Sequence, residues 1–175
     1  CLSLAPAQLE RVILSPMTES NQAPLNTALT VSISARDVVT TGLSAADRAH
    51  TVRVAADPQA LPSDIISPGH MFPLRAREGG VLVRSGQTEG SVDIARLAGL
   101  EPAAIICEIM NTDGSMSRMT ELKRFGEEHG IRVATIADLI EYRLQNEALV
   151  EEVTNASLPT RHGDFRIRLF KSSLD

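Results

Sequence analysis

The chain has 175 residues, of which 43% are hydrophobic, 22% charged and only 3% aromatic, with a formal net charge of −5. This is the make-up of one globular unit large enough for its own core, with roughly 70% of the unfolded surface buried, and not of a disordered chain. The acidic balance excludes the broad basic field that duplex nucleic acid requires, and so few aromatics (no Trp, one Tyr, four Phe) argue against a stacking platform for single strands, although a local basic cluster can still hold a small phosphorylated ligand.

Nothing in the chain reads as a membrane span or a signal peptide. Cys1 and Cys107 show neither metal-knuckle nor disulfide-framework spacing; they could pair, but two lone thiols suit a reducing cytoplasm. Cys1-Leu2-Ser3-Leu4 reads as a strand already under way, so the chain is expected to begin inside a fold. Pro6 to Leu14 carries Leu9, Val12 and Ile13 at helical spacing, with proline in the first turn. Leu29, Val31, Ile33 and Ala35 alternate with Thr30, Ser32 and Ser34 and predict a half-buried strand. Ser44 with Asp47 three residues on predicts a capped helix to Ala56, ended by Asp57-Pro58.

Residues 58–69, with three prolines, read as a loop. Met71 to Leu74 is short and extended, and Gly79-Gly80 is a turn. Thr88 is expected to cap a helix ending at Gly99. Ala103 to Met110 is predicted as a buried strand, Thr120 to Gly130 as a short helix, Ile131 to Ile136 as another apolar strand, and Thr135 to about Val153 as a longer helix. Helices alternating with buried strands imply a parallel or mixed sheet covered by helices. Beyond Val153, a polar linker and an alternating strand at Phe165, Ile167 and Leu169 are expected.

Three places carry candidate chemistry. Arg84-Ser85-Gly86-Gln87-Thr88 joins an arginine, a glycine and a helix start, whose free N–H groups attract anions. Its two readings are a phosphate site and a capped helix preceded by a solvated arginine. His70, after the Pro68-Gly69 turn, is either a structural loop histidine or an acid–base group. Glu108 interrupts an apolar run, so it must lie at a strand end, pair with another group, or function. Cys107 reads as a small core residue. His50, His129 and His162 have no companions at metal-ligand spacing, and Glu141 to Glu152 reads as a solvated helix face.

Pro68 to Leu82, preceded by Thr40-Thr41-Gly42-Leu43-Ser44-Ala45-Ala46-Asp47-Arg48 and followed by Thr88-Glu89, Ala98-Gly99-Leu100, Cys107-Glu108-Ile109 and Asp113-Gly114-Ser115-Met116, resembles 3,4-dihydroxy-2-butanone 4-phosphate synthase. The resemblance runs in order from about Cys1 to Arg143. The tail Leu158-Pro159-Thr160-Arg161-His162-Gly163-Asp164-Phe165 resembles the opening of a GTP cyclohydrolase II domain. Residues 1–153 are therefore expected to be a synthase domain, and residues 154–175 a linker and the start of a cyclohydrolase-like domain in a bifunctional riboflavin-biosynthesis protein.

The resemblance implies an α/β (α+β) three-layer sandwich around a mixed, mostly buried sheet. It also implies a homodimer with shared sites, and conversion of D-ribulose 5-phosphate to L-3,4-dihydroxy-2-butanone 4-phosphate and formate with Mg²⁺ (or Mn²⁺). His70 and Glu108 match the family's essential histidine and glutamate. Arg84, Ser85, Gly86, Gln87 and Thr88 match the substrate loop, Thr41 the segment that approaches the neighbouring subunit's substrate, and Cys1 a cysteine lining the site. No nucleic-acid or membrane partner is expected, and a cytoplasmic location is expected.

Two departures stand out. The family's acidic Arg-Glu-x-Glu-Gly-Asp loop has no counterpart in this chain, so the chain by itself is expected to lack synthase activity. Gln87 occupies the position of the family's metal-ligand histidine; its carbonyl oxygen suits Mg²⁺, but an amide is no base. Ser34, where an acid is common, reads as a surface change. The alternative to an active synthase is an inactive domain kept as a dimerising scaffold for the cyclohydrolase.

Overall fold

The computed structural model describes residues 1–172 and 174. Strand β1 (Leu2–Leu4) lies at the centre of a mixed three-stranded sheet, parallel to β4 (Pro73–Arg75) and antiparallel to β5 (Ala103–Ile105). A second pair joins β2 (Ile33–Ala35) to β3 (Ile65–Met71), antiparallel. Leu2, Leu4, Leu9, Val12, Leu14, Ile33, Ala55, Ile65 and Met71 form one buried cluster between these sheets and helices α1 (Pro6–Arg11) and α2 (Ala45–Ala56). The fold is α+β with a mixed sheet, as expected.

Several boundaries move, each for a local reason. Helix α1 stops at Arg11 instead of Leu14. Ile13 adopts a left-handed φ of 54°, and the Leu14 N–H bonds the Leu9 carbonyl at 3.0 Å, so the chain turns back and Leu14 joins Leu9 in the core. Helix α2 starts as its cap predicts, with the Asp47 N–H on the Ser44 hydroxyl at 3.0 Å, and ends before Asp57. The alternating run Leu29 to Ala35 is regular strand only over its last three residues, and Ser34 on its supposedly polar face is buried.

The proline-bearing segment 58–69 is not all loop, because β3 enters it at Ile65. β3 pairs with β2 through a wide bulge: Ile33 faces Met71, while the next residue, Ser34, faces Ile66. Residues 67–70 fill the bulge, and Gly69 is pressed so closely on the Ile33–Ser34 backbone that no Cβ would fit.

Helix α3 (Gln87–Leu97) is N-capped by Gly86, not by Thr88, which sits buried inside the first turn. The strand predicted for 103–110 is regular only through Ile105; its ladder to β1 extends through the Cys1–Ile106 pair, and Ile105 is 60% exposed, so this edge is far less covered than its apolar run suggests. Helix α4 (Met119–His129) ends at Gly130 in the left-handed region, where the Ile131 N–H returns to the Gly126 carbonyl at 2.8 Å. Residues 131–134 then run without a strand partner among the described residues.

Helix α5 (Ile136–Asn146) starts on Thr135, whose hydroxyl accepts the Asp138 N–H at 3.1 Å, and is shorter than expected. The stretch read as a linker is instead a strand, β6 (Val150–Thr160), in a hairpin with β7 (Gly163–Ser172). Both strands are exposed almost throughout.

Candidate functional site

The predicted residues fall into three groups. The first is built around the β3 bulge. The Ser67 hydroxyl donates to the Ser32 carbonyl at 2.8 Å, the Gly69 N–H to the Ser32 hydroxyl at 3.2 Å, and the His70 N–H to the Ser34 hydroxyl at 3.2 Å. Ser34 is thus not a surface change: it is the buried acceptor that holds the His70 backbone. The Thr41-Gly42 turn lies against the imidazole, since a Cβ on Gly42 would meet His70 Nδ1 at 2.9 Å and Ser34 Oγ at 2.9 Å.

Asp47 ties that turn down. Its carboxylate accepts the Thr40 hydroxyl at 2.8 Å, the Thr40 N–H at 3.2 Å and the Gly42 N–H at 3.0 Å. These bonds, the Thr40 hydroxyl foremost, hold the Asp47 carboxyl below the usual carboxylate range. Its spacing from Ser44 pointed to a helix cap; its second task, anchoring Thr40 and the Gly42 that lies against His70, has no signature in that spacing.

The second group surrounds the start of α3. Arg84 Nη1 donates to Glu89 Oε2 at 2.6 Å, and Arg84 Nη2 to the Leu25 carbonyl at 3.2 Å. Glu89 Oε1 accepts the Arg77 N–H at 3.0 Å. The first N–H groups of α3 have no acceptor within the helix, so an arginine and a set of backbone donors meet at one end of it. Thr88 is buried there, and Ser85 and Gln87 are exposed. One turn along, Asp93 accepts the Val81 N–H at 2.9 Å and Arg143 Nη1 at 2.7 Å; Arg143 also donates to the Gly79 carbonyl at 2.8 Å and, through Nε and Nη2, to both Glu147 oxygens. Arg143, read from sequence as part of a solvated face, is in fact 3% exposed. These bonds hold the Glu147 carboxyl below its ordinary range.

The third group is at the β5 edge. Cys1 pairs with Ile106 in both directions at 3.0 Å, and Cys107 and Glu108 follow, exposed. Glu108 is a strand-end carboxylate, not a buried one, and Cys107 is exposed rather than a core residue. Among the described residues, no hydrogen bond or ion pair joins His70 to Arg84, Thr88 or Glu108. Among them, too, no three His, Cys, Asp or Glu side chains lie together as a metal site. Gln87 would offer a divalent cation one neutral oxygen where Mg²⁺ takes near-octahedral oxygen ligation including carboxylate, so the residues present do not make up a site for it.

These elements define an α+β domain in which a helix start, an arginine and a bulge-held histidine are the prepared features. The chain belongs to the 3,4-dihydroxy-2-butanone 4-phosphate synthase family, whose profile matches residues 1–142. It is 53% identical over 176 residues to the riboflavin biosynthesis protein RibBA of Aquifex aeolicus (strain VF5), covering 99% of this chain and 43% of that protein. It is 51% identical over 174 residues to the 3,4-dihydroxy-2-butanone 4-phosphate synthase of Neisseria meningitidis serogroup B, covering 99% of this chain and 48% of that protein. The chain thus spans less than half the length of these relatives.

Among solved structures, RibBX of A. baumannii, a two-domain 3,4-dihydroxy-2-butanone 4-phosphate synthase, superposes with a TM-score of 0.88 at 43% identity, over all of this chain and 52% of that one. A synthase solved in complex with two magnesium ions gives a TM-score of 0.77 at 37% identity, over 83% of this chain and 73% of that one. No helix among the described residues is long and apolar enough to cross a membrane.

Proposed function

We propose that the protein to which this chain belongs converts D-ribulose 5-phosphate to L-3,4-dihydroxy-2-butanone 4-phosphate and formate, as a step of riboflavin biosynthesis. The observation that carries this reading is the meeting of Arg84 with the open amides of α3 in a chain of this family. A phosphate monoester is a dianion near neutral pH; backbone N–H groups and a guanidinium recognise it by charge and by hydrogen-bond geometry. Arg84, Ser85, Gly86, Gln87 and Thr88 hold the substrate, chiefly at its phosphate.

The reaction needs no oxidant. A pentulose phosphate is rearranged into a four-carbon phosphate and a one-carbon acid, and protons are removed and returned along the way. His70 and Glu108 carry those protons, each able to accept or donate at a sugar oxygen or carbon within hydrogen-bond reach. Thr41, next to the Gly42 that Asp47 holds against His70, and Cys1 are assigned to the reacting end by their match to the family's site residues.

The site is shared by two copies of the chain in a homodimer. Two facts support this: His70 and Arg84 are held by different elements without a link, and Leu100, Ile105 and Met110 are exposed apolar side chains near the Glu108 edge. The tail from residue 154 belongs to a fused cyclohydrolase-like domain. Mg²⁺, or Mn²⁺, would polarise the sugar oxygens only if ligands beyond the described residues completed a site with Gln87, and no proton transfer above is routed through it. The exposed, unpaired Cys1 and Cys107 support a cytoplasmic location.

The test is formate release from ribulose 5-phosphate with Mg²⁺, by the longest natural form of the protein. Turnover is expected, with a loss of roughly 10²- to 10⁴-fold in His70→Ala and in Glu108→Gln. No turnover in the unmodified protein, with turnover restored by Gln87→His, would replace this reading by the inactive scaffold.

A further inference from the structure

We propose that Glu89 is a positioning residue for the phosphate site: it sets the direction of the Arg84 guanidinium, and Gly86 is glycine so that this pair can lie across the helix start. The inference rests on the anion-binding reading of Arg84 and α3 given above.

Glu89 is 1% exposed, and a carboxylate buried so deeply must have both oxygens engaged. One holds Arg84 Nη1 at 2.6 Å; the other holds the Arg77 backbone N–H at 3.0 Å. The second contact matters most. Because it is to main chain, the carboxylate is referenced to the fold and not to another flexible side chain, and it passes that fixed position on to Arg84. The Leu25 carbonyl supplies a second point on Nη2, so the guanidinium plane is held at both terminal nitrogens.

Gly86 shows where this plane lies. A Cβ there would run into Arg84 Nη1 and come within 2.6 Å of Glu89 Oε2. The ion pair therefore rests directly over the N-cap of α3, beside the first-turn amides that open to an anion. An arginine left free would sweep many rotamers and meet a phosphate in few of them. Pre-orientation removes that loss at binding.

The competing effect has the opposite sign. A carboxylate beside an anion site repels the anion, so a purely electrostatic Glu89 weakens phosphate binding and its neutralisation strengthens it. Orientation predicts the reverse.

The experiment titrates the chain with inorganic phosphate by calorimetry, after thermal unfolding has shown each variant to be folded. Glu89→Gln is expected to weaken phosphate binding about tenfold. Its effect should vanish in an Arg84→Ala background, because there is no guanidinium left to aim. In ¹⁵N NMR, the Arg84 guanidinium signals should broaden in Glu89→Gln before any ligand is added. Gly86→Ala, which displaces the pair without touching a charge, should produce the same loss and should not add to Glu89→Gln. Tighter or unchanged binding in Glu89→Gln, or an undiminished effect without Arg84, overturns the positioning role alone. No phosphate binding by the unmodified chain, or unaltered binding in Arg84→Ala, overturns the anion-site reading and this inference with it.

Discussion

Asp47 binds three donors through one carboxylate, and in doing so couples the Thr40–Gly42 turn to the helix it starts. Its proton affinity is depressed in the folded state, so its stabilising contribution is complete above the ordinary carboxylate value of 3.8 and is lost as pH falls through the lower, folded value. Asp47→Asn should therefore flatten the acid limb of the stability curve below about pH 4, read from urea unfolding at successive pH values. The same variant should loosen the Thr40–Gly42 turn beside His70, seen as faster amide exchange in residues 40–42. If the acid limb keeps its slope, the three bonds do not carry the difference in proton binding.

At the scale of elements, α3 is the clamp of the domain. Glu89 and Asp93, four residues apart on one buried face, grip the segment 77–84 at two points: the Arg77 and Val81 amides. Arg143 of α5 then locks Asp93, the Gly79 carbonyl and Glu147 together. Gly80 has no room for a Cβ against the Asp93 carboxylate, which explains a glycine beside the turn. Breaking such a pair leaves a buried charge with weaker compensation. Arg143→Met leaves Asp93 only the Val81 amide and the half-exposed Arg96 at 3.7 Å, so it should cost about 2 kcal/mol in urea unfolding, and adding Asp93→Asn should recover part of it, because the poorly compensated charge is then gone. A cost under about 0.5 kcal/mol would mean that water replaces the guanidinium freely.

Across the whole molecule, the described residues hold one apolar cluster, and the β6–β7 hairpin stands outside it. On one face of the hairpin, Thr154 with Leu169, Ala156 with Ile167, and Leu158 with Phe165 face one another in register; these side chains are exposed. Since this face buries little in the fold described, Ile167→Thr should leave the unfolding free energy of the α+β body within about 0.5 kcal/mol of the unmodified chain. Hydrogen exchange of the β1 and β4 amides, which report on that body, provides the check. Slower or faster exchange there would mean that the hairpin is coupled to the core.

What the sequence by itself determined is local or ordinal. The caps at Ser44 and Thr135 were legible because their bonds span three residues, and the order of motifs from Thr40 to Met116 was enough to point to the family. The bulge at Gly69, the burial of Ser34 and the exposure of Glu108 were not legible, because periodicity cannot tell a face turned to the core from one left at an edge. Only the tertiary structure decided that Ser34 meets His70 across 36 positions, that Arg143 meets Asp93 across 50, and that Glu89 looks both ways, to Arg77 and to Arg84. Such pairs form because a buried polar group must find a partner, and the fold, not the neighbouring sequence, chooses which one is within reach.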